Sequence, residues 1–375
     1  MNIGVDLRTL INGNKSGIPG FTFELLKNIL ENDTQNKYFG FYNSYKNLEF
    51  PTFSNKIENV KLNVPNKILN PSLRFLNIPK LNKIIPCDVF YMPHFNFNAL
   101  SENSYKIITV HDLSFLRYPE FFSIKNNLWH KMIQVEKTLK SFDKIVAISN
   151  NTKNDIVELF NIPEKKIKVV YSGVDSKYRI LDSSSKELFQ TKNKYKLPDK
   201  YILSLGTIEP RKNIDSLIKS FDQFIERTGS DYFLIIAGGV GWKYKNVLKT
   251  YDKAKHKDRI KFLGFIDEED KNAIYNLSSL FVFPSYYEGF GFPPLEALKT
   301  GTPVLSSANS SMLEILGDSA YFVDPYDICD ISKGIENLLS STELKDRLLI
   351  KSEQNLERFS WDKTSSEYLN IFNEK

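Results

Sequence analysis

Pro284-Ser285-Tyr286-Tyr287-Glu288-Gly289-Phe290-Gly291-Phe292-Pro293-Pro294-Leu295-Glu296-Ala297-Leu298 decides how the rest of the chain is read. The apolar run before it, Ser279 to Phe283, reads as a buried strand. Pro293 and Pro294 suit the first turn of a helix, and Gly301 suits its end. The segment is therefore a strand, a glycine loop and a helix. Such a loop offers bare backbone N–H groups and a positive helix end to whatever sits above the carboxyl end of the strand, typically a sugar or a phosphate. Glu288 falls on the loop and Glu296 near the helix start, eight residues apart. A carboxylate there can accept paired hydrogen bonds from the vicinal hydroxyls of ribose or a hexose. The plainer alternative is an ordinary strand–helix connection with a glutamate at a favourable first-turn position.

Outward from this stretch, short apolar runs alternate with helical patterns, which predicts parallel sheets flanked by helices. Six candidate strands occupy the first half: Asn2–Asp6, Tyr38–Tyr42, Val89–Met92, Ile107–Val110, Lys144–Ile148 and Lys168–Val170. Six more occupy the second: Tyr201–Leu205, Tyr232–Ala237, Ile260–Leu263, Leu280–Phe283, Pro303–Ser306 and Ala320–Val323. A chain of 375 residues with 41% hydrophobic content exceeds one core and predicts two domains. The polar, Ser/Lys-rich stretch from Asp175 to Pro198 reads as their connection. In open α/β sheets, ligands bind outside the carboxyl ends of the strands.

Composition narrows the function. Two cysteines, Cys87 and Cys329, make no disulfide framework and no metal spacing, which suits a reducing compartment. No run approaches the ~18–20 apolar residues of a membrane span, and Met1-Asn2-Ile3-Gly4-Val5 reads as a strand rather than a signal peptide. A net charge of +5 without a basic, aromatic-interleaved patch gives no sign of nucleic acid.

Three further segments carry chemistry. Ser204-Leu205-Gly206-Thr207-Ile208-Glu209-Pro210-Arg211-Lys212-Asn213 follows a strand and precedes a helical pattern through Ile214, Leu217, Ile218 and Phe221, so Arg211 and Lys212 sit at a strand's carboxyl end. A nucleotide-sugar diphosphate gains charge as its glycosidic bond breaks. No Asp-x-Asp is present to hold a metal for that charge. Adjacent Arg and Lys can take the task, Arg by bidentate bonding and Lys as a point charge. Ser16-Gly17-Ile18-Pro19-Gly20-Phe21 precedes a helical pattern and suits close backbone approach to a ligand; it is not the dinucleotide G-x-G-x-x-G, so NAD is not indicated. His111 ends the strand Ile107–Val110, and His94 follows another strand as a second acceptor-side candidate; a structural role is the alternative for each.

The chain resembles the retaining glycosyltransferases of family 4, mannosyltransferase-like members included. Glu288 and Glu296 look like that family's Glu-x7-Glu signature, and Gly206 to Asn213 like its phosphate segment. Val110-His111-Asp112 looks like its central loop, and Gly17 to Phe21 like its "G-I-G-R-Y" loop, with Pro19 and Phe21 departing. Val170-Tyr171-Ser172-Gly173-Val174-Asp175 resembles its domain boundary and Phe359-Ser360-Trp361 the start of its C-terminal helix.

This resemblance implies the GT-B fold, two Rossmann-like doubly wound domains facing each other across a cleft. It implies an acceptor-side domain over 1–175, a connection over 176–198, a nucleotide-sugar domain over 199–355, and a helix over 356–375 packing back toward the first domain. It also implies a retaining, metal-independent hexosyltransferase, with mannose from GDP-mannose favoured, acting on a glycan hydroxyl in lipopolysaccharide O-antigen, capsule or other surface polysaccharide assembly. Arg211 and Lys212 would hold the diphosphate and Glu296 the ribose. Glu288 and the Gly289-Phe290-Gly291 backbone would hold the sugar, with Gly206 beneath, and Phe265 and Ile266 would border the base. His111 and Gly17 would serve the reacting face. No cofactor is expected, the nucleotide sugar being a substrate. A UDP-sugar enzyme of the same fold, a nucleotide-sugar epimerase and an inactive sugar-nucleotide-binding protein stay open as alternatives.

Residues 59–87 hold Lys61, Lys67, Arg74, Lys80 and Lys83 and no acid, among large apolar residues and four prolines. This pattern suits an anionic membrane surface presenting a polyprenyl-linked acceptor at the inner, cytoplasmic face. A surface loop packed on the first domain accounts for it equally well.

Overall fold

All strands of both sheets run parallel, as buried apolar runs joined by helices require. The computed structural model describes residues 1–11, 17–45 and 56–375; Ser16 of the N-terminal glycine loop lies outside them. The chain divides into unit 1 (Met1–Leu113, Ile124–Gly173 and Phe359–Lys375) and unit 2 (Ser114–Ser123 and Val174–Arg358).

Among its described residues unit 1 has seven strands: β1 Asn2–Asp6, β2 Lys37–Asn43, β3 Ile57–Leu62, β4 Val89–Met92, β5 Tyr105–Val110, β6 Lys144–Ala147 and β7 Ile167–Val169, in the order β3-β2-β1-β4-β5-β6-β7. β3 has no counterpart in the sequence reading. Among the described residues it is an edge strand pairing only with β2, half exposed, and alternation in Ile57-Glu58-Asn59-Val60-Lys61-Leu62 replaces the apolar run of a central strand. The helix Trp361–Phe372 belongs to this unit: buried Tyr368 exchanges a hydrogen bond with Thr109 of β5 at 2.7 Å, and a Cβ on Gly173 would meet the Trp361 backbone at 2.4 Å.

Unit 2 has six strands: β8 Tyr201–Leu205, β9 Phe233–Ala237, β10 Ile260–Gly264, β11 Leu280–Phe283, β12 Val304–Ser307 and β13 Tyr321–Val323, in the order β10-β9-β8-β11-β12-β13. The helix Ile214–Thr228 buries Leu217, Ile218, Phe221, Phe224 and Ile225, a stripe repeating every three to four residues that packs with Ile202, Leu234 and Leu280 of the sheet. Each such side chain contributes about 1.5–3 kcal/mol. Gly229 ends the helix in the left-handed conformation, its N–H on the Ile225 carbonyl.

The stretch read as a connection packs as part of unit 2. It contains the helix Lys186–Tyr195, and Tyr178 is buried against Tyr275. The Arg179 and Leu181 N–H groups donate to Asn272 and Asn276 at 3.0 and 2.8 Å. Ser114–Ser123, although flanked by unit 1 on both sides, also belongs to unit 2: Phe122 stacks on Trp242, whose indole N–H donates to the Phe121 carbonyl at 2.6 Å.

Candidate active site

In unit 2 the strand order reverses between β8 and β11, so the loops leaving their carboxyl ends diverge and open a crevice. The first loop carries Gly206 to Asn213 and the second Pro284 to Gly291. Asn213 joins them: buried and in the left-handed conformation, it donates through Nδ2 to the carbonyls of Pro284 (3.1 Å) and Pro325 (2.7 Å). Gly238, at the end of β9, is fixed by close approach, since a Cβ there would lie 2.0 Å from the Gly206 carbonyl oxygen.

Within the crevice Arg211, Lys212 and Glu288 form one ionic cluster. Arg211 Nη1 donates to Glu288 Oε2 at 2.6 Å and to the Tyr287 carbonyl at 2.8 Å. Lys212 Nζ reaches Glu288 Oε1 at 2.6 Å and lies 4.7 Å from the centre of the Phe283 ring. The other edge of the Arg211 guanidinium bonds Glu209 Oε1 at 2.8 and 3.1 Å. Glu288 and Glu209 are buried, while both cations keep a small exposed fraction. Burial would raise the Glu288 carboxyl, but the charges of Arg211 and Lys212 overcome it and hold it below the usual carboxylate range. Burial lowers the Lys212 ammonium, with Glu288 pulling the other way. Two cations and two carboxylates therefore balance before any anion arrives. That Glu288 is the counter-charge of the basic pair, and Glu209 the second one, was not anticipated. Glu209 stood inside the quoted phosphate segment, but nothing local marked it as a partner.

The Glu288 loop is built to hold a shape. The Glu288 N–H donates to Ser310 Oγ at 2.9 Å, and the Ser311 hydroxyl donates to the carbonyls of Glu288 (2.9 Å) and Phe290 (3.1 Å). The Asn309 amide donates to the Tyr286 carbonyl. Here too the sequence left a sign, a run of small polar residues from Ser306 to Ser311 just past a strand. Gly291 has φ of 107°, and a Cβ there would meet Met312 Cε at 2.5 Å. It opens the helix Phe292–Lys299, with Pro in its first turn. Gly289 and Phe290 are buried, Phe290 packing on Phe292. Glu296 lies one turn on and accepts from the buried Tyr275 hydroxyl at 2.9 Å; burial pushes its carboxyl up. Beyond β10, Phe265 is exposed whereas the Ile266 side chain is in the core.

Gly17 and His111 are in unit 1. Gly17, at φ of 63°, precedes the helix Ile18–Asn32, and no atom of the described residues lies within 4 Å of where a Cβ would project. His111 is buried at the end of β5, its ring edge-on to Phe21 with centroids 4.8 Å apart. Its Nε2 lies 2.8 Å from the Pro93 carbonyl, which can only accept, so Nε2 carries the proton. Burial pushes its pKa down to about 4, leaving it neutral near pH 7 with Nδ1 as the lone-pair nitrogen. His94 is 5.8 Å away centroid to centroid, and its buried Nδ1 has no protein partner. Among the described residues no group of three or more His, Cys, Asp or Glu is arranged to hold a metal ion.

Two family profiles match the chain: "Glycosyltransferase Family 4" over residues 41–178 and "Glycosyl transferases group 1" over residues 185–354. O-antigen chain mannosyltransferase B of Escherichia coli is 30% identical over 284 residues, 76% of this chain and 72% of that protein. The serotype-specific mannosyltransferase WbdA of Escherichia coli is 34% identical over 229 residues, 60% of this chain but 28% of that longer protein. Sucrose-phosphate synthase from Thermosynechococcus elongatus superposes with a TM-score of 0.78 at 16% identity, covering 100% of this chain and 98% of that one, a likeness of fold.

Proposed function

Given that the chain belongs to glycosyltransferase family 4 and is a hexosyltransferase of GT-B fold, we propose that it transfers mannose from GDP-mannose, with retention, to a glycan hydroxyl in the assembly of lipopolysaccharide O-antigen or a related surface polysaccharide. The observation that carries this reading is the Arg211–Lys212–Glu288 cluster in the β8/β11 crevice, two nearly buried cations at the place where a doubly wound sheet takes its ligand. The mannose assignment draws on the two mannosyltransferases described above, one of them an O-antigen chain mannosyltransferase, at 30% and 34% identity.

The donor's diphosphate lies on Arg211 and Lys212, which take up the charge that grows as the glycosidic bond breaks, without a metal or other cofactor. Glu296 accepts from the ribose hydroxyls. The backbone of Gly289 to Gly291 and the Glu288 carboxylate orient the hexose, Gly206 leaves the strand end open, and Phe265 with the Ile266 backbone borders the base. Neutral His111 offers Nδ1 to a sugar hydroxyl and has no spare proton to give, and Gly17 leaves its strand-end loop open to ligand. The leaving phosphate takes the proton of the attacking hydroxyl on the same face, which gives retention. The acceptor is polyprenyl-linked and met at the inner face of the cytoplasmic membrane, with residues 59–87 as the contact. Among the described residues no helix is long and apolar enough to cross a membrane.

A thermal-shift panel of GDP-, UDP-, ADP- and dTDP-sugars tests the donor. A ligand at 100 times its Kd adds about 2.7 kcal/mol, and GDP-mannose is expected to give the largest shift. A larger shift with UDP-glucose moves the reading to a UDP-dependent transferase. Arg211→Ala or Lys212→Ala should cost at least about 10²-fold in transfer rate, and wild-type transfer should survive EDTA. Loss in EDTA with recovery on adding manganese refutes the metal-free clamp.

A further inference from the structure

We propose that Tyr275 is a positioning residue for the donor's ribose. Its hydroxyl holds one oxygen of Glu296 and leaves the other to the vicinal ribose hydroxyls, so that donors carrying both hydroxyls are selected. The inference rests on the reading of Glu296 as the ribose acceptor and adds how that carboxylate is aimed.

Tyr275 lies on the helix Lys271–Leu277 of unit 2, fully buried, and its hydroxyl donates to Glu296 Oε2 at 2.9 Å. Among the described residues no hydrogen bond reaches Glu296 Oε1. The last torsion of a glutamate is broad, so a carboxylate held at neither oxygen points in no fixed direction. Held at Oε2, it presents Oε1 along a set line. The phenol can do this because it is itself fixed. Its ring meets Phe281 and Tyr178 edge-on, with centroids 5.4 and 5.9 Å away. The Tyr275 carbonyl accepts from the hydroxyls of Ser278 at 2.8 Å and Thr302 at 2.7 Å. Thr302 lies just past the helix Phe292–Lys299 that carries Glu296, so the two helices are joined without the phenol bond.

The pair stands beside a second carboxylate. Tyr178 donates to Glu268 Oε1 at 3.3 Å and feels the charges of both Glu296 and Glu268. Lys177 and Lys271 reach Glu268 at 2.8 and 2.5 Å. Burial pushes the Glu296 carboxyl up, and Lys271 and the Tyr275 hydroxyl pull it down; Glu268 raises it and Lys177 opposes that. The balance leaves it raised. A protonated carboxyl is a weaker acceptor for a sugar hydroxyl than a carboxylate, and the Tyr275 bond favours the ionised form. Removing that bond costs the direction of Oε1 and, as pH falls, the charge as well. A phenol that served packing alone would change stability and leave nucleotide selection as it was.

Isothermal titration of the full chain with GDP and with 2′,3′-dideoxy-GDP, at about pH 8 and about pH 6, tests this. The ratio of the two affinities cancels the titration of the diphosphate, which both nucleotides share. Wild type should prefer GDP by about tenfold to a hundredfold, the worth of hydrogen bonds to a charged group. Tyr275→Phe keeps the ring and its packing. It should lose about tenfold of that preference near pH 8, and more near pH 6. In a Glu296→Gln background, adding Tyr275→Phe should leave GDP affinity unchanged. Tyr201→Phe is the control: it removes a buried hydroxyl that donates to the Ile274 carbonyl of the same helix at 2.6 Å, and should keep the wild-type preference. A full preference in Tyr275→Phe at both pH values overturns the inference. So does an equal loss in Tyr201→Phe, or a further loss of GDP affinity in the double variant. A wild type that binds both nucleotides alike removes the ribose role of Glu296, and the inference falls with it. Wild type alone separates that failure from the others.

Discussion

Replacing Glu288 by glutamine removes the negative charge from between two cations that each stand 2.6 Å from its oxygens. Glutamine keeps the shape and one carbonyl acceptor, but its amide group then faces Arg211 or Lys212 as a donor facing a donor. The three side chains are 9–14% exposed, so water cannot restore the lost bond. Breaking a buried ion pair costs about 3–5 kcal/mol. Arg211 keeps Glu209 and the Tyr287 carbonyl, which places the expected loss near the lower end, about 3 kcal/mol. For a unit of this size that corresponds to a fall in Tm of roughly 6–12 °C. The same change leaves an excess positive charge where a diphosphate is proposed to bind. GDP should therefore bind Glu288→Gln more tightly than wild type and raise its Tm further at equal concentration, while mannosyl transfer falls. Differential scanning fluorimetry with and without GDP, alongside a transfer assay, reads all three. An unchanged Tm together with a GDP shift no larger than wild type would show that Glu288 is not the counter-charge of the clamp.

Glu296→Gln should weaken bare GDP about tenfold to a hundredfold through loss of a charged acceptor to the ribose, with isothermal titration as the measure; affinity equal to wild type removes that role. Buried His111 and partly buried His94 set an acid limit. Burial lowers His111 to about 4 and His94 to about 3, below the ~6.5 of an unfolded histidine. Between those values the unfolded chain binds more protons than the folded one, so stability is full above about pH 6.5 and declines as pH falls toward 4, by at most about 1.4 kcal/mol per pH unit for each histidine. A Tm that stays flat from pH 6.5 to 4 contradicts neutral, buried imidazoles.

Much of the fold can be read along the chain because a parallel sheet covered on both faces imposes a continuous apolar run on each strand, and a run is a local signal. Twelve strands were legible in this way. β3 was not, since an edge strand buried on fewer sides needs only alternation, which Ile57 to Leu62 shares with many loops. The helix Lys186–Tyr195 was missed for a related reason: it buries little besides Thr191, so its composition is that of a polar linker. The assignment of Ser114–Ser123 to unit 2 left no mark, because it rests on Phe122 meeting Trp242 some 120 positions away.

The sequence by itself determined that a basic pair follows one strand, that a glutamate and two glycines follow another, and that both loops end on helices. These are properties of neighbouring residues, written in periodicity and turn chemistry. Only the tertiary structure decided that β11 lies beside β8 rather than after β10 in space, which brings Glu288 to Lys212 across 76 positions of chain. Strand order is settled by how whole faces are buried against helices, and no stretch of sequence short enough to be read as a motif contains that competition.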